Sequence, residues 1–237
     1  MDFEEYKKSQ PGSKFSDYYV YKLAAILEAG EPHGALGKDL SARNAPIAFE
    51  EAGLNEFGKY LDWFNLTPEM RVVDFGCGSL RLGLHFIKFL SKNHYFGLDL
   101  TTDFIAHGVD HLNELLGDDW DAKIGTIDKD FDDAVNHKAD FVVSSNVAYH
   151  IHPDEWDRYF ERLSQLASKH GSTLCFDSRI AREYVQFGDR NFAYPLEFHT
   201  NALPNFKLVR TMPAQEKLPE MLDANEVVRV IFHFERI

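Results

Sequence analysis

Two cysteines, Cys77 and Cys175, are all the thiol chemistry in 237 residues. That is too few for a disulfide-stapled scaffold or a four-cysteine zinc site. Long apolar runs are missing too. No stretch approaches the ~20 residues needed to span a bilayer, so no membrane segment is expected. The opening Met1-Asp2-Phe3-Glu4-Glu5 is acidic where a secretory signal would be basic and then apolar, which makes a cytoplasmic location the expectation. Positive charge is scarce: 25 Lys and Arg stand against 38 Asp and Glu, a net charge of −13. Such a chain repels a phosphate backbone and has no polybasic run for anionic lipid. Neither nucleic acid nor a membrane is expected as a partner. No repeat of 20–50 residues and no low-complexity tract appears. With 44% apolar and 27% charged residues, the composition is that of a folded globular protein rather than a disordered one.

Three zones differ in texture. Residues 1–66 are polar and aromatic, with helices expected over about Asp17–Glu28, stopped by Ala29-Gly30, and over about Leu54–Phe64. Between them, Glu31–Pro46 holds two prolines and two glycines and reads as a loop. From about Thr67 to Asp177, strand and helix signals alternate. Strands are expected at Arg71–Phe75, Tyr95–Leu100, Ala122–Thr126, Asp140–Ser145 and Ser172–Asp177, and helices at Leu80–Leu90, Thr102–Leu116 and Pro153–Ser168. This alternation predicts an α/β fold, a parallel sheet with helices on both faces. Beyond Asp177 the pattern changes. A stretch rich in Arg, Tyr and Phe, without clear period, precedes two strand candidates, Phe206–Arg210 and Val227–Phe234, which suit an antiparallel pair at the end of the sheet.

The most informative segment is Val73-Asp74-Phe75-Gly76-Cys77-Gly78-Ser79-Leu80. Glycines between a strand and a helix allow a tight turn, and they also let a ligand approach the main chain. A plain strand-to-helix turn remains the alternative. The dinucleotide fingerprint wants a third glycine at position 81, where this chain has Arg81, although Gly83 is near. That weighs against a nicotinamide cofactor. Asp74, on the strand side of the turn, suits a ligand carrying positive charge better than one carrying two phosphates. Asp99, about 20 residues further on in Phe96-Gly97-Leu98-Asp99-Leu100, is placed to accept hydrogen bonds from both hydroxyls of a ribose. It could instead cap the next helix, but Thr101 and Thr102 are better placed for that.

On these residues the chain resembles the class I S-adenosylmethionine-dependent methyltransferases. Val72-Val73-Asp74-Phe75-Gly76-Cys77-Gly78 matches the cofactor loop and Gly97-Leu98-Asp99 the ribose acid. Phe141-Val142-Val143-Ser144-Ser145-Asn146-Val147 matches the fourth strand, and Tyr149–Trp156 the turn into the next helix. The resemblance implies a Rossmann-like fold: a mostly parallel seven-stranded sheet with an antiparallel C-terminal hairpin, over residues 67–237, preceded by a helical extension or lid over residues 1–66. It also implies S-adenosylmethionine as cofactor and S-adenosylhomocysteine as product. Asp74, Gly76 and Gly78 would line the methionine part and Asp99 would hold the ribose, with Cys77 and Leu100 also among the cofactor-binding residues. Ile127 and Asp128 would meet the adenine, and Ser145 and Asn146 would face the methionyl end or the reacting methyl.

On the acceptor side, His150 and His152 straddle Ile151 just after the fourth strand, at the expected ligand edge of the sheet. Either could act as a base near neutral pH, and a plain loop role is the alternative. As a metal pair they lack a third ligand nearby, so no metal is expected. Another helical pair, His107 and His111, reads as a solvated surface. Arg179, Arg182, Tyr184, Arg190, Phe192 and Tyr194 sit where class I folds often cap the acceptor, which would suit an anionic or aromatic small molecule. For any single one of them, helix surface or aromatic core is the favoured alternative. Phe15, Tyr18, Tyr19 and Tyr21 fit either a lid or packing onto the sheet. Motifs of nucleic-acid methyltransferases are absent at Ser145-Asn146-Val147-Ala148, so a small-molecule acceptor is expected. The competing readings are a Rossmann-type NAD-dependent oxidoreductase and a non-catalytic S-adenosylmethionine-binding protein. Oligomeric state is not written in these residues.

Overall fold

Short apolar runs bounded by glycines and polar turns decide where the strands form. The computed structural model describes residues 1–29, 49–117 and 119–237. The expected loop Glu31–Pro46 lies outside the described residues. In chain order the elements are α1 (Phe3–Ser9), α2 (Phe15–Glu28), α3 (Phe49–Phe64), β1 (Val72–Phe75), α4 (Gly83–Phe89), β2 (Tyr95–Asp99), α5 (Thr102–Leu116), β3 (Lys123–Thr126) and α6 (Ile127–Asn136). Then follow β4 (Phe141–Ser144), α7 (Trp156–Leu166), β5 (Thr173–Ile180), β6 (Val185–Gln186), β7 (Phe192–Ala193), α8 (Leu196–Asn201), β8 (Phe206–Met212), α9 (Leu218–Ala224) and β9 (Val228–Arg236).

Seven strands form a mostly parallel sheet in the order β3-β2-β1-β4-β5-β9-β8, and β6 pairs with β7 in a separate hairpin. The chain divides into two compact units, Val20–His137 and Met1–Tyr19 with Lys138–Ile237.

In the first unit, β2 pairs in parallel with both β1 and β3. All four residues of β1 are buried, as expected of a strand covered on both faces. Helix α5 begins with the Thr101 hydroxyl accepting from the Asp103 amide and ends at Gly117, whose φ is +62°. Its buried stripe is Phe104, Gly108 and Leu112, one residue per turn. Helix α4 starts at Gly83 rather than at Leu80. The chain first makes a turn in which Leu80 takes a φ of +58°, a left-handed value that a helix cannot contain. Helix α6 was not anticipated.

In the second unit, β4 and β5 are parallel, while β5–β9 and β8–β9 are antiparallel, the expected C-terminal hairpin. Helix α7 buries Trp156, Tyr159, Phe160, Leu163 and Leu166, a helical stripe. The core is aromatic: Phe176 stacks on Phe232 at 4.9 Å between ring centroids and meets Phe160 edge-on at 5.2 Å. Strand β5 extends beyond Asp177 to Ile180, and the stretch without a readable period holds the β6–β7 hairpin and α8. Helix α1 also went unread, although Asp2 and Glu5 form a capping box visible in the sequence.

His199, on α8, is fully buried against the Phe232 ring. Its Nδ1–H donates to the Pro195 carbonyl at 3.1 Å, and its Nε2 accepts from the Ser178 hydroxyl at 2.8 Å. Burial lowers its pKa from 6.5 to about 4. The folded protein therefore resists protonation that the unfolded chain accepts. The stabilisation is complete above pH 6.5 and falls as pH drops towards 4, by up to about 3 kcal/mol. Thermal melts across that window should show Tm falling in the wild type and a flatter profile in His199→Gln. Parallel profiles would remove His199 from the acid sensitivity.

Candidate functional site

After β1 the chain turns on two glycines with positive φ, Gly76 at 84° and Gly78 at 55°. The Gly76 and Cys77 amides both donate to the Leu98 carbonyl, at 2.7 and 3.0 Å, which fastens the turn to β2. The Gly78 amide donates to Asp99 Oδ2 at 2.8 Å. Asp99 Oδ1 accepts from Leu100 N at 2.8 Å and more weakly from Thr101 N at 3.4 Å. Burial raises the Asp99 pKa, opposed by these amides, with Gly78 foremost. Thr101 caps α5, so Asp99 is left to the glycine turn.

Beneath the turn, Asp74 is 2% exposed, and the Tyr95 hydroxyl donates to its Oδ2 at 2.9 Å. Burial pushes the Asp74 carboxyl up to about 7, against the lowering hydrogen bond from Tyr95, and the Asp99 charge adds to the rise. Gly83 makes this contact possible, because a Cβ there would collide with the Tyr95 hydroxyl. Cys77 is buried, and its Sγ lies 3.0 Å from where a Cβ on Gly97 would stand. The Cys77 side chain packs against Gly97, and its amide is held by the Leu98 carbonyl.

At the end of β3, Ile127 is buried in the first turn of α6 and Asp128 is exposed. The acid that folds back is Asp130, whose Oδ2 accepts from the Thr126 amide at 2.8 Å. Leu100 is 40% exposed.

In the other unit, the chain leaves β4 through Ser145 and Asn146. Asn146 has a φ of +59°, and its amide donates to Asp177 Oδ1 at 2.6 Å. Asp177 is fully buried at the end of the apolar run Leu174-Cys175-Phe176, and its Oδ2 accepts from Arg179 at 3.2 Å and Arg229 at 2.9 Å. This hub was missed by sequence reasoning. Its signal was a single acid closing an apolar strand. Left-handed, non-glycine residues thus follow both β1 and β4, at Leu80 and Asn146. Strain of this kind gathers at functional loops.

The two histidines part company. The His150 Nδ1–H donates to the Arg190 carbonyl at 3.0 Å, so the neutral ring carries its lone pair on Nε2. Its ring lies 4.0 Å from that of Tyr149 and 5.0 Å from that of Tyr19. His152 caps a turn instead, its Nδ1 accepting from the Asp154 amide at 3.2 Å. It stacks on Phe15 at 5.0 Å and meets Phe192 edge-on at 5.4 Å. Burial lowers its pKa. In this structure His152 has a capping and packing role. Phe15 and Tyr18 are core residues, Tyr19 is half-buried and Tyr21 is exposed.

Residues 73–173 match the family model described as a methyltransferase domain. A methyltransferase domain therefore spans the glycine turn, Asp99 and β4. The chain thus carries a methyltransferase domain and has the fold of the class I S-adenosylmethionine-dependent methyltransferases. Among similar solved structures is magnesium protoporphyrin IX methyltransferase (ChlM) from Synechocystis PCC 6803 with bound SAM, at 14% identity and TM-score 0.64, covering 96% of this chain and 100% of that one. Geranyl diphosphate methyltransferase in complex with SAM aligns at 14% identity and TM-score 0.58, over 86% of this chain and 95% of that one. The [4+2]-cyclase SpnF aligns at 13% identity and TM-score 0.66, over 95% and 98%.

The turn of this methyltransferase fits S-adenosylmethionine on two structural grounds. Among the described residues a Cβ on Gly78 would meet nothing within 4 Å, so the main chain there is open to a ligand. A carboxylate offers about four acceptor positions, and the Gly78, Leu100 and weaker Thr101 amides on Asp99 leave about one for a ribose hydroxyl. Asp74 would answer positive charge on the methionyl part. A cation favours the ionised Asp74, so affinity for S-adenosylmethionine should rise by up to about tenfold per pH unit from 5.5 to 7 and then level off. Calorimetric titration at fixed salt checks this, and Asp74→Asn should flatten the curve. A wild-type curve already flat below pH 7 would place Asp74 away from the cation.

Proposed function

We propose that this methyltransferase acts on a small-molecule acceptor and that His150 receives the proton the acceptor gives up. When bound, S-adenosylmethionine supplies a sulfonium-activated methyl group and leaves as neutral S-adenosylhomocysteine after in-line attack. The chain's own part is binding, orientation and proton handling. The observation that carries the reading is the His150 hydrogen bond to the Arg190 carbonyl, which sets the basic nitrogen at Nε2 in the loop after β4. A base in that tautomer suits an acceptor hydroxyl or protonated amine, where proton loss accompanies attack.

Acceptor size is supported by charge and by analogy. A net charge of −13 disfavours nucleic acid. Among the described residues no helix is long and apolar enough to cross a membrane. Two of the solved methyltransferases of this fold are named for small acceptors, a magnesium porphyrin and a terpenyl diphosphate. Asp177 holds the Asn146 amide, and with it the loop that leads to His150.

The test is a screen of small hydroxyl and amine compounds, reading S-adenosylhomocysteine and methylated product together by mass spectrometry. Equal amounts of the two are expected with at least one compound. His150→Gln should lower kcat about 10²–10⁴-fold with S-adenosylmethionine affinity nearly unchanged. Tight cofactor binding with no product from any acceptor would favour the non-catalytic reading. Full activity in His150→Gln would dismiss the base.

A further inference from the structure

Three arginines lie close to the His150 region, and their charges are treated differently. Arg179 and Arg229 both donate to the buried Asp177 carboxylate. Arg179 also sits over the Tyr149 ring, 4.5 Å from its centroid. Arg190 has no such counter-charge: among the described residues no carboxylate lies within ion-pair distance of it. Its guanidinium stands over the Tyr19 ring at 5.3 Å. Its Nη1 is buried and has no hydrogen-bond partner among the described residues. Through its own carbonyl the same residue holds His150.

A buried guanidinium donor without an acceptor is costly to keep, because desolvation removes water and nothing replaces it. Stacking over Tyr19 supplies attraction to the charge but no acceptor atom. Guanidinium groups satisfy such donors best with carboxylate or phosphate oxygens. The surrounding protein is acidic overall, so an anion is not drawn in by net charge and needs a local cation.

We infer that the acceptor carries an anionic group, a carboxylate or phosphate, received by Arg190. This rests on the methyl-transfer reading above and specifies its substrate class. Arg190 then determines specificity twice over: its side chain anchors the anion, and its carbonyl keeps His150 in the tautomer that presents Nε2. Tyr19 and Tyr149, flanking the His150 ring, provide flat apolar surface for the body of the acceptor. Arg179 and Arg229 contribute architecture, since both are committed to the Asp177 carboxylate.

The test uses 4-hydroxybenzoate and its neutral counterpart 4-hydroxybenzamide as probes. Binding to the full chain saturated with S-adenosylhomocysteine is followed by ligand-observed NMR. The carboxylate should bind at least tenfold more tightly than the amide. Arg190→Gln should erase that preference while leaving S-adenosylhomocysteine affinity within twofold, and Arg190→Lys should restore part of it. Equal binding of the two probes, binding of neither, or a preference that survives Arg190→Gln would overturn the inference. Failure of S-adenosylhomocysteine itself to bind would instead refute the methyltransferase reading, so the two failures are distinguishable.

Discussion

The Asp99 carboxylate, held on the Gly78 amide at 2.8 Å, joins the end of β2 to the turn after β1. Parallel strands buried on both faces have no solvent side on which to carry chemistry, so their functional groups gather at the strand ends. One side chain there fixes the turn and keeps an acceptor position in reserve. Its surroundings are built to suit. Gly97 leaves space for the Cys77 side chain, and Gly83 leaves space for the Tyr95 hydroxyl to reach Asp74. Burial, with the Asp99 charge adding to it, raises the Asp74 pKa, and an arriving cation relieves that tension.

A parallel device operates in the other unit. Asp177 ends an apolar strand, takes two arginines and holds the Asn146 amide. A buried charge with several good partners can organise its neighbourhood even where its net contribution to stability is small. What it organises is the left-handed turn at Asn146 from which the chain runs on to His150. The fold of the cyclase SpnF is also similar to this one, a reminder that the scaffold does not choose the reaction and that site residues must.

The strands were legible because each is a short apolar run between turn signals, and β1, β2, β4 and β5 lie within a few residues of expectation. Helix α5 was legible at both ends because Thr101 and Gly117 mark them. Helix α6 was not, since its Ile127-Asp128-Lys129-Asp130 opening is mostly charged and hides a weak apolar stripe. Asp74 and Asp99 could be read from local sequence. Tyr95 as the partner of Asp74 could not, because that contact comes from the pairing of β1 with β2 and from a missing Cβ on α4. The two histidines look alike in sequence. Only the turn at Pro153 and the aromatic packing of Phe15 and Phe192 separate the capping residue from the candidate base.

The most direct measurement is a calorimetric titration of the purified protein with S-adenosylmethionine, S-adenosylhomocysteine and NAD, repeated with Asp99→Ala after its fold is checked by circular dichroism. Micromolar binding of both S-adenosyl ligands, none of NAD, and loss of binding in the variant is the result predicted. Preferential binding of NAD, or S-adenosylmethionine binding untouched by loss of the Asp99 carboxylate, would contradict the account.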